Sequence, residues 1–388
     1  MTRRRRAQRA LWCRSAGGAL VVVLLSVAQR APAEEPAASA AGVPTPWYTR
    51  LQLDGYAGAS WSYNFNRPDS RTNALHVFDF DDNSIKLDVL ELVMQTAAVE
   101  RGSSGFRFDL TLGGSVPRVS AAAGLFRDSN GVAQDIDLQQ AFVRWVAPVG
   151  GGLRLDAGKF VTPLGYEVIE GYDGFNDNAT RSFLFGYGIP FTHSGLRAGY
   201  DFGRGVAGSL LVVNGWDLAT DNNAAKTVGG QLTFTPGDRF TCSGTFLVGP
   251  ERAGENRDLR QTYGLTATWK AAPRLVLGAE GLVAREANAL VPGESADWDG
   301  IAVYARAEIN SRLSLAVRGE WFEDRNGFRT GTLQTLTEGT LTPQVRLTDQ
   351  VRLRADARFD HSNRLVFRKR GAFDADQWTV LVAGFCIF

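Results

Sequence analysis

Leu51-Gln52-Leu53-Asp54-Gly55-Tyr56-Ala57-Gly58-Ala59-Ser60-Trp61-Ser62-Tyr63-Asn64-Phe65 alternates along its whole length. One face carries Leu51, Leu53, Gly55, Ala57, Ala59, Trp61, Tyr63 and Phe65; the other carries Gln52, Asp54, Ser60, Ser62 and Asn64. A period of two is that of a β-strand whose two sides meet different surroundings, whereas helical spacing would scatter both sets around a cylinder. The pattern recurs downstream. Phe106, Phe108, Leu110 and Leu112 alternate with Arg107, Asp109 and Thr111, and Leu313, Leu315, Val317, Gly319 and Trp321 alternate with Arg312, Ser314, Ala316, Arg318 and Glu320.

Alternation alone fits a soluble β-sandwich as well as a membrane barrel. The connections separate the two. Links 66–83, 115–134, 161–192, 215–225, 249–258, 286–297, 323–331 and 362–374 are long. Between them fall the short links 101–104, 147–152, 203–205, 235–238, 271–273 and 310–311, with 342–348 intermediate. These fifteen links join sixteen strands. Long and short links in strict turn are the mark of an antiparallel transmembrane barrel with an even strand count, tight periplasmic turns and long external loops. The expected fold is therefore all-β, a transmembrane antiparallel β-barrel of about 16 strands, within a range of about 14 to 18. Trp47, Tyr48, Trp145, Trp269, Phe385 and Phe388 fall at the tight-turn ends, and Trp61, Tyr63, Trp298, Trp321 and Phe322 at the loop ends, so two aromatic girdles are expected. The last strand, with Trp378, Val380, Val382, Gly384, Cys386 and Phe388 in alternation, resembles the C-terminal signal read by the barrel-assembly machinery, with Phe388 as its final residue.

The N-terminus differs from all of this. Residues 1–33 hold seven arginines and no acidic residue, followed by an apolar run at 16–28 and Ala31-Pro32-Ala33. That order predicts a cleaved secretory signal peptide, since thirteen apolar residues fall short of the ~20 a membrane helix needs. The expected organisation is a signal peptide over 1–33, an Ala/Pro-rich periplasmic leader over 34–46 and the barrel over 47–388. The mature chain would carry 35 basic and 41 acidic residues, a net charge of −6, which argues against nucleic acid as a partner. Two remaining cysteines, Cys242 and Cys386, make no disulfide scaffold, and no metal or other cofactor is expected. Asp79-Phe80-Asp81-Asp82-Asn83 offers oxygen ligands but lacks the glycine and closing glutamate of a calcium loop.

Gly158-Lys159-Phe160, Thr162-Pro163, Gly165, Pro190-Phe191-Thr192-His193-Ser194-Gly195 and Asn214-Gly215-Trp216-Asp217 resemble the OmpL-like beta-barrel porin family. That resemblance implies an outer-membrane porin and says little about its substrate. Asp356, in Arg354-Ala355-Asp356-Ala357-Arg358-Phe359-Asp360, stands where the family pattern suggests glutamate.

Two sets of charged residues are candidates for function. Arg352, Arg354, Asp356, Arg358 and Asp360 share one strand face, and lipid excludes that face because a mid-bilayer arginine costs about 2 to 4 kcal/mol. The same reasoning turns Arg306, Glu308, Arg312, Arg318 and Glu320 toward the lumen as pore-lining residues. The longest link, 161–192, carries Glu167, Glu170, Asp173 and Asp177 against Arg181 alone and is expected to fold inward as a constriction. The resulting expectation is a non-enzymatic porin in a Gram-negative outer membrane, surrounded by lipid, passing small hydrophilic solutes and assembling as a homotrimer. A non-conducting structural or adhesive barrel is the alternative. An outer-membrane enzyme is the more remote one, since no Gly-x-Ser-x-Gly turn or partnered histidine motif is present.

Overall fold

The computed structural model describes residues 47–388, so the signal peptide and leader lie outside the described residues. After a short 3-10 turn at Trp47–Arg50, the chain forms β1 (Leu51–Asn64), β2 (Ile85–Thr96), β3 (Ser104–Leu112), β4 (Ile136–Ala147), β5 (Leu153–Val161) and β6 (Thr192–Gly203). It continues through β7 (Val206–Val213), β8 (Thr227–Phe234), β9 (Phe240–Pro250), β10 (Leu259–Ala272) and β11 (Leu275–Glu286). Then follow β12 (Ala296–Glu308), β13 (Leu313–Asp324), β14 (Gln334–Arg346) and β15 (Val351–Ser362). A small hairpin, β16 (Phe367–Lys369) with β17 (Ala372–Asp374), sits in the last external loop before β18 (Asp376–Ile387). Fifteen strands and β18 close into one antiparallel sixteen-stranded barrel.

Closure is made between the first and last strands, from Tyr56 opposite Ile387 to Asn64 opposite Thr379. Phe388 completes it: its amide donates to Gly55 O at 3.0 Å and the Gly55 amide donates to its carbonyl at 2.7 Å. Closing the sheet leaves no unpaired strand edge in the membrane. Deleting Phe388 removes both bonds and is expected to lower the fraction of chain that reaches the outer membrane in heat-modifiable form. A truncated chain that arrives there and shifts on heating like the full-length one would refute that role.

The outward face is an apolar belt including Leu53, Val143, Leu196, Leu210, Leu265, Ile301, Val303 and Val382, all exposed. Tyr48, Trp145, Trp269, Trp378 and Phe388 are exposed at its margins. Trp298, Phe322 and Phe385, expected in the girdles, instead face inward and are buried. Strand parity is the reason: Phe322 shares the face of Arg318 and Glu320, whereas its neighbour Trp321 points to lipid.

Two further expectations are corrected. The intermediate link 342–348 is strand up to Arg346 and a short turn over 347–350. Pro343 pairs with Leu315 of β13, but the β14–β15 ladder passes from Leu341–Ala357 to Gln344–Arg354 without it. Proline has no amide hydrogen to give the β15 side, so a residue that reads as a break is accommodated within the strand. Arg312 lies in the exposed periplasmic turn 309–312, not on a lumenal strand face. In the loop after β3, residues 116–123 form a short helix, α1 (Val116–Ala123), which strand periodicity did not suggest.

Candidate functional site

The 162–191 loop does not project outward. It lies inside the barrel, and its polar contacts trace an arc across the wall. The Pro163 carbonyl accepts from Gln231 of β8 at 2.8 Å, and the Tyr166 amide donates to Glu280 of β11 at 3.1 Å. Glu167 meets Arg318 of β13 at 2.7 Å, and Glu170 meets Arg354 of β15 at 2.5 Å and the Tyr56 hydroxyl of β1 at 3.1 Å. The Tyr172 amide donates to Glu91 of β2 at 2.5 Å, and Asp173 meets Arg107 of β3 at 2.8 Å. On the return leg Asp177 is 3.2 Å from Arg306 of β12. All four candidate acids of this loop therefore bind wall arginines.

The exchange is reciprocal, because wall carboxylates hold the loop backbone. Glu320 accepts from the amides of Phe183 at 2.7 Å and Leu184 at 2.5 Å, at the start of a single π-turn over Leu184–Gly188. Asp356 accepts from the amide of Thr180 at 2.7 Å and its hydroxyl at 2.9 Å. Buried backbone amides need partners as much as buried charges do, and each side of this contact supplies what the other lacks. Above the polar layer, Phe183, Leu184, Phe185, Ile189 and Phe191 of the loop pack with Trp216, Leu282, Trp298, Phe322 and Leu336 into the main apolar cluster. Tyr166 stacks on Tyr304 at 4.2 Å between centroids, and a Cβ on Gly278 would stand 2.2 Å from its hydroxyl. Glycine at 278 is what lets the tyrosine lie flat on the wall.

This arrangement places the sequence-derived pore-lining residues. Arg318, Arg358, Asp356 and Asp360 are essentially buried, and Glu320, Arg306 and Arg354 nearly so. They face inward but lie beneath the loop, out of contact with open lumen. Arg318 is bound between Glu167 and Glu338, at 2.7 and 2.6 Å, and Arg358 holds Asp360 at 2.6 Å. Arg352 lies over the ring of Phe175 at 4.9 Å, and Glu308, at the periplasmic end, is partly exposed and 3.2 Å from Arg306. Burial disfavours charge on Glu170, yet Arg181 and Arg354 overcome it and hold its carboxyl down at about 2. At Asp177 burial prevails and pushes the carboxyl up to about 6 against Arg306 and Arg354.

The motif residues of the central segment meet at the base of the loop. Asp217 accepts from the amides of Phe191 at 2.6 Å and Thr192 at 2.9 Å, and burial pushes its carboxyl up to about 6 against these bonds. His193 contacts Gly215 O through Nδ1 at 2.9 Å and Thr162 Oγ1 through Nε2 at 3.1 Å, so both loop ends converge on one imidazole. The Trp216 amide donates to Glu251 at 2.6 Å, Lys159 reaches Asp137 at 2.8 Å, and Asn214 N donates to Ser194 O at 2.9 Å. Gly158, at φ +140°, brings its backbone so close to Ala141 O that a Cβ would be 2.1 Å away; Gly165, at φ +98°, turns the loop inward past Ile189. Pro190 precedes the clamp and is buried. The motif thus works as a clamp that fixes where the loop enters and leaves the wall.

The opposite sector of the wall stays uncovered. Inward residues of β8, β9 and β10, including Gln231, Thr233, Ser243, Thr245, Thr266 and Thr268, retain partial exposure, while inward residues of β13, β14 and β18 are buried. The lumen is therefore asymmetric. One half is filled by loop and ion pairs; the other is open and lined by hydroxyls and amides, with arginines on β4 to β6. Sequence reading missed Arg144, Arg154 and Arg197 of that sector, although Arg154-Leu155-Asp156 and Leu196-Arg197-Ala198 carry the same alternation. The first external loop also folds inward, with His76 buried between Asp79 at 2.6 Å and Asp360 at 2.8 Å; Asp82 accepts from the Asn64 amide. Among the described residues, no group of three or more His, Cys, Asp or Glu side chains is placed to hold a metal ion.

Solved structures share this architecture. The outer membrane channel DcaP of Acinetobacter baumannii aligns with a TM-score of 0.60 at 11% identity, covering 87% of this chain and 97% of that one. OprB of Pseudomonas putida aligns at 0.60 and 11% identity, over 88% and 94% of the two chains. OmpF of Salmonella typhi, in a complex with daunomycin, aligns at 0.59 and 13% identity, over 87% and 97%. At such identities the likeness shows the fold. No curated protein matches at the level of sequence. The sequence profile of the family described as "Putative beta-barrel porin-2, OmpL-like" matches residues 50–388, nearly the whole of the barrel, and the chain belongs to that porin family.

Proposed function

We propose that this protein is a passive diffusion channel of the Gram-negative outer membrane, admitting small hydrophilic solutes and ions through the sector of lumen that the 162–191 loop leaves open. The asymmetry of the wall supports this reading: the Ser/Thr/Gln surface of β8 to β10 keeps solvent exposure while the ion-paired half is sealed. A barrel built only as a scaffold has no need of a hydrated, hydroxyl-lined half. On this reading the loop acids Glu167, Glu170, Asp173 and Asp177 anchor the constricting element, and Arg306, Arg318, Glu320, Arg354, Asp356, Arg358 and Asp360 form the wall it rests on. Residues 1–33 direct export and are removed, and Phe388 is read during insertion. The trimer form of OmpT of Vibrio cholerae, a barrel of the same fold, supports a homotrimer as the assembly.

Purified protein in a planar lipid bilayer is expected to give stepwise current increments that scale with salt concentration. Silent bilayers containing heat-modifiable, correctly inserted protein would reject the channel and favour a non-conducting barrel.

A further inference from the structure

Strands β7, β8, β9 and β10 contain no aspartate or glutamate. Beside this wall, which carries no carboxylate and has Arg260 and Lys270 on β10, β4, β5 and β6 bring three guanidinium groups together. Arg144 and Arg197 both bind Asp156: Arg144 through Nε at 2.6 Å and a terminal nitrogen at 2.9 Å, Arg197 through Nε at 3.0 Å and a terminal nitrogen at 2.7 Å. Arg154, one inward position from Asp156 on β5, has no acidic side chain within 4.0 Å among the described residues. Its other acidic neighbour on this wall, Asp201, accepts the Gly203 amide at 2.8 Å. Two of the three guanidinium groups thus share one carboxylate, and the third is bound to none among the described residues.

Exposure decides which of these charges a solute meets. The side chains of Arg144 and Arg197 are 31% and 22% exposed, whereas that of Asp156 is 4% exposed. The carboxylate is shielded behind the arginines it binds. Aromatic faces fix the heads in place: Arg197 lies 4.5 Å from the Phe160 centroid, and Arg144 lies 5.3 Å from that of Phe142. Of the loop acids, Glu167, Glu170 and Asp177 are each bound to an arginine of another sector, and Asp173 is bound, together with Asp109, to Arg107 of β3. A cleft with charge of one sign and low-dielectric walls concentrates ions of the opposite sign.

We infer that Arg144, Arg154 and Arg197 form a transit site for small anionic solutes, carboxylates above all, within the open sector. This rests on the channel reading and adds the class of solute to it. A guanidinium presents a planar fork of donors that matches the two oxygens of a carboxylate. Arg154 is the free fork. Its neighbours raise the local potential while remaining tied to Asp156, and the facing hydroxyls and amides of β8 to β10 can replace water around the rest of the solute. Passage requires binding strong enough to enter and weak enough to leave, which a single uncommitted fork in a wet lumen supplies better than a closed cage.

The test is reversal potential across a KCl gradient at about 0.1 M, where screening extends to about 10 Å, followed by titration with malonate. Wild-type protein is expected to favour chloride over potassium. R154Q should lower that ratio about two- to threefold and D156N should raise it, because the first removes and the second unmasks positive charge in a focusing cleft. Malonate should reduce chloride current through the wild type and do so less in R154Q. Both variants must keep the heat-modifiable mobility of the wild type, and R154Q leaves every ion pair of Asp156 in place. Current without anion preference, or a ratio unmoved by both substitutions, would overturn this inference and leave the channel reading standing. Anion preference without any malonate effect would overturn the carboxylate assignment. Absence of current from the wild type would overturn the channel reading and this inference with it.

Discussion

Replacing Arg318 with methionine is expected to destabilise the barrel by roughly 3 to 5 kcal/mol, the usual cost of removing one partner from a buried ion pair. Arg318 donates to Glu338 at 2.6 Å, Glu167 at 2.7 Å, the Thr180 carbonyl at 2.7 Å and the Thr180 and Thr340 hydroxyls at 3.1 and 3.3 Å. Without it, Glu167 remains as a buried carboxylate with no counter-charge, Glu338 keeps only Arg358 at 4.0 Å, and Glu320 stands opposite Glu338 in the sheet. Methionine matches the apolar stem and none of the donors. Urea unfolding followed by tryptophan fluorescence should show a midpoint well below wild type, together with noisier or larger single-channel currents as the loop loosens. R318K restores the charge without the planar fork and should recover only part of the loss. Adding E167Q and E338Q to the methionine variant removes the stranded charges and should recover more than either does alone, the non-additivity expected of groups in one network. An unchanged midpoint in R318M would show that the loop is held by its apolar contacts and that the ion pairs are incidental.

The second large effect concerns all four loop acids. E167Q/E170Q/D173N/D177N removes the loop's charges from Arg318, Arg354, Arg107 and Arg306, leaving Glu338, Asp109 and Glu308 as the wall partners of Arg318, Arg107 and Arg306, so the loop should detach and the arginines beneath it should face the lumen. Conductance is expected to rise and the chloride-to-potassium ratio to increase by about tenfold at low salt. That shift should shrink at 1 M salt, where screening shortens to about 3 Å. R352Q/R354Q should move preference toward cations, because Glu170 is then left without its 2.5 Å partner. Acidification probes the same contacts with opposite signs. Asp177 titrates at about 6, above its ordinary 3.8, so the folded protein takes up a proton there that the unfolded chain does not. Its contribution therefore favours the folded state increasingly as pH falls from about 6 to about 4. Glu170, held at about 2, contributes stability that is complete above about 4.5 and is lost only as pH falls toward 2. Between pH 7 and 5 Asp177 and Asp217 both take up protons, moving preference modestly toward anions, and D177N should remove the Asp177 share of that dependence. Conductance and reversal potential unmoved in the quadruple variant would mean that the acids neither hold the loop nor shape the field.

The alternation of Leu51 to Phe65 and of the later segments determined by itself that these segments are strands, because a two-residue period has only one regular solution. Link lengths pointed to about sixteen strands, and Phe388 marked the closing strand, which the closed barrel of sixteen strands bears out. Parity also fixed inside from outside, including at Trp321 and Phe322, where grouping aromatic residues by strand end overrode it. What parity could not report is which part of the inward face is wet. That was decided by contacts between residues far apart in the chain: Glu167 with Arg318, 151 positions on; Glu170 with Arg354, 184 on; and Thr180 with Asp356, 176 on. A local period carries no information about such partners. The wall of Arg318, Glu320, Arg354 and Arg358 and that of Arg144, Arg154 and Arg197 look alike as sequence, with charged residues on alternate positions of strands. Only the closed barrel shows that the 162–191 loop neutralises and dries the first, because its four acids and free backbone amides find partners there, and leaves the second in water with an excess of positive charge.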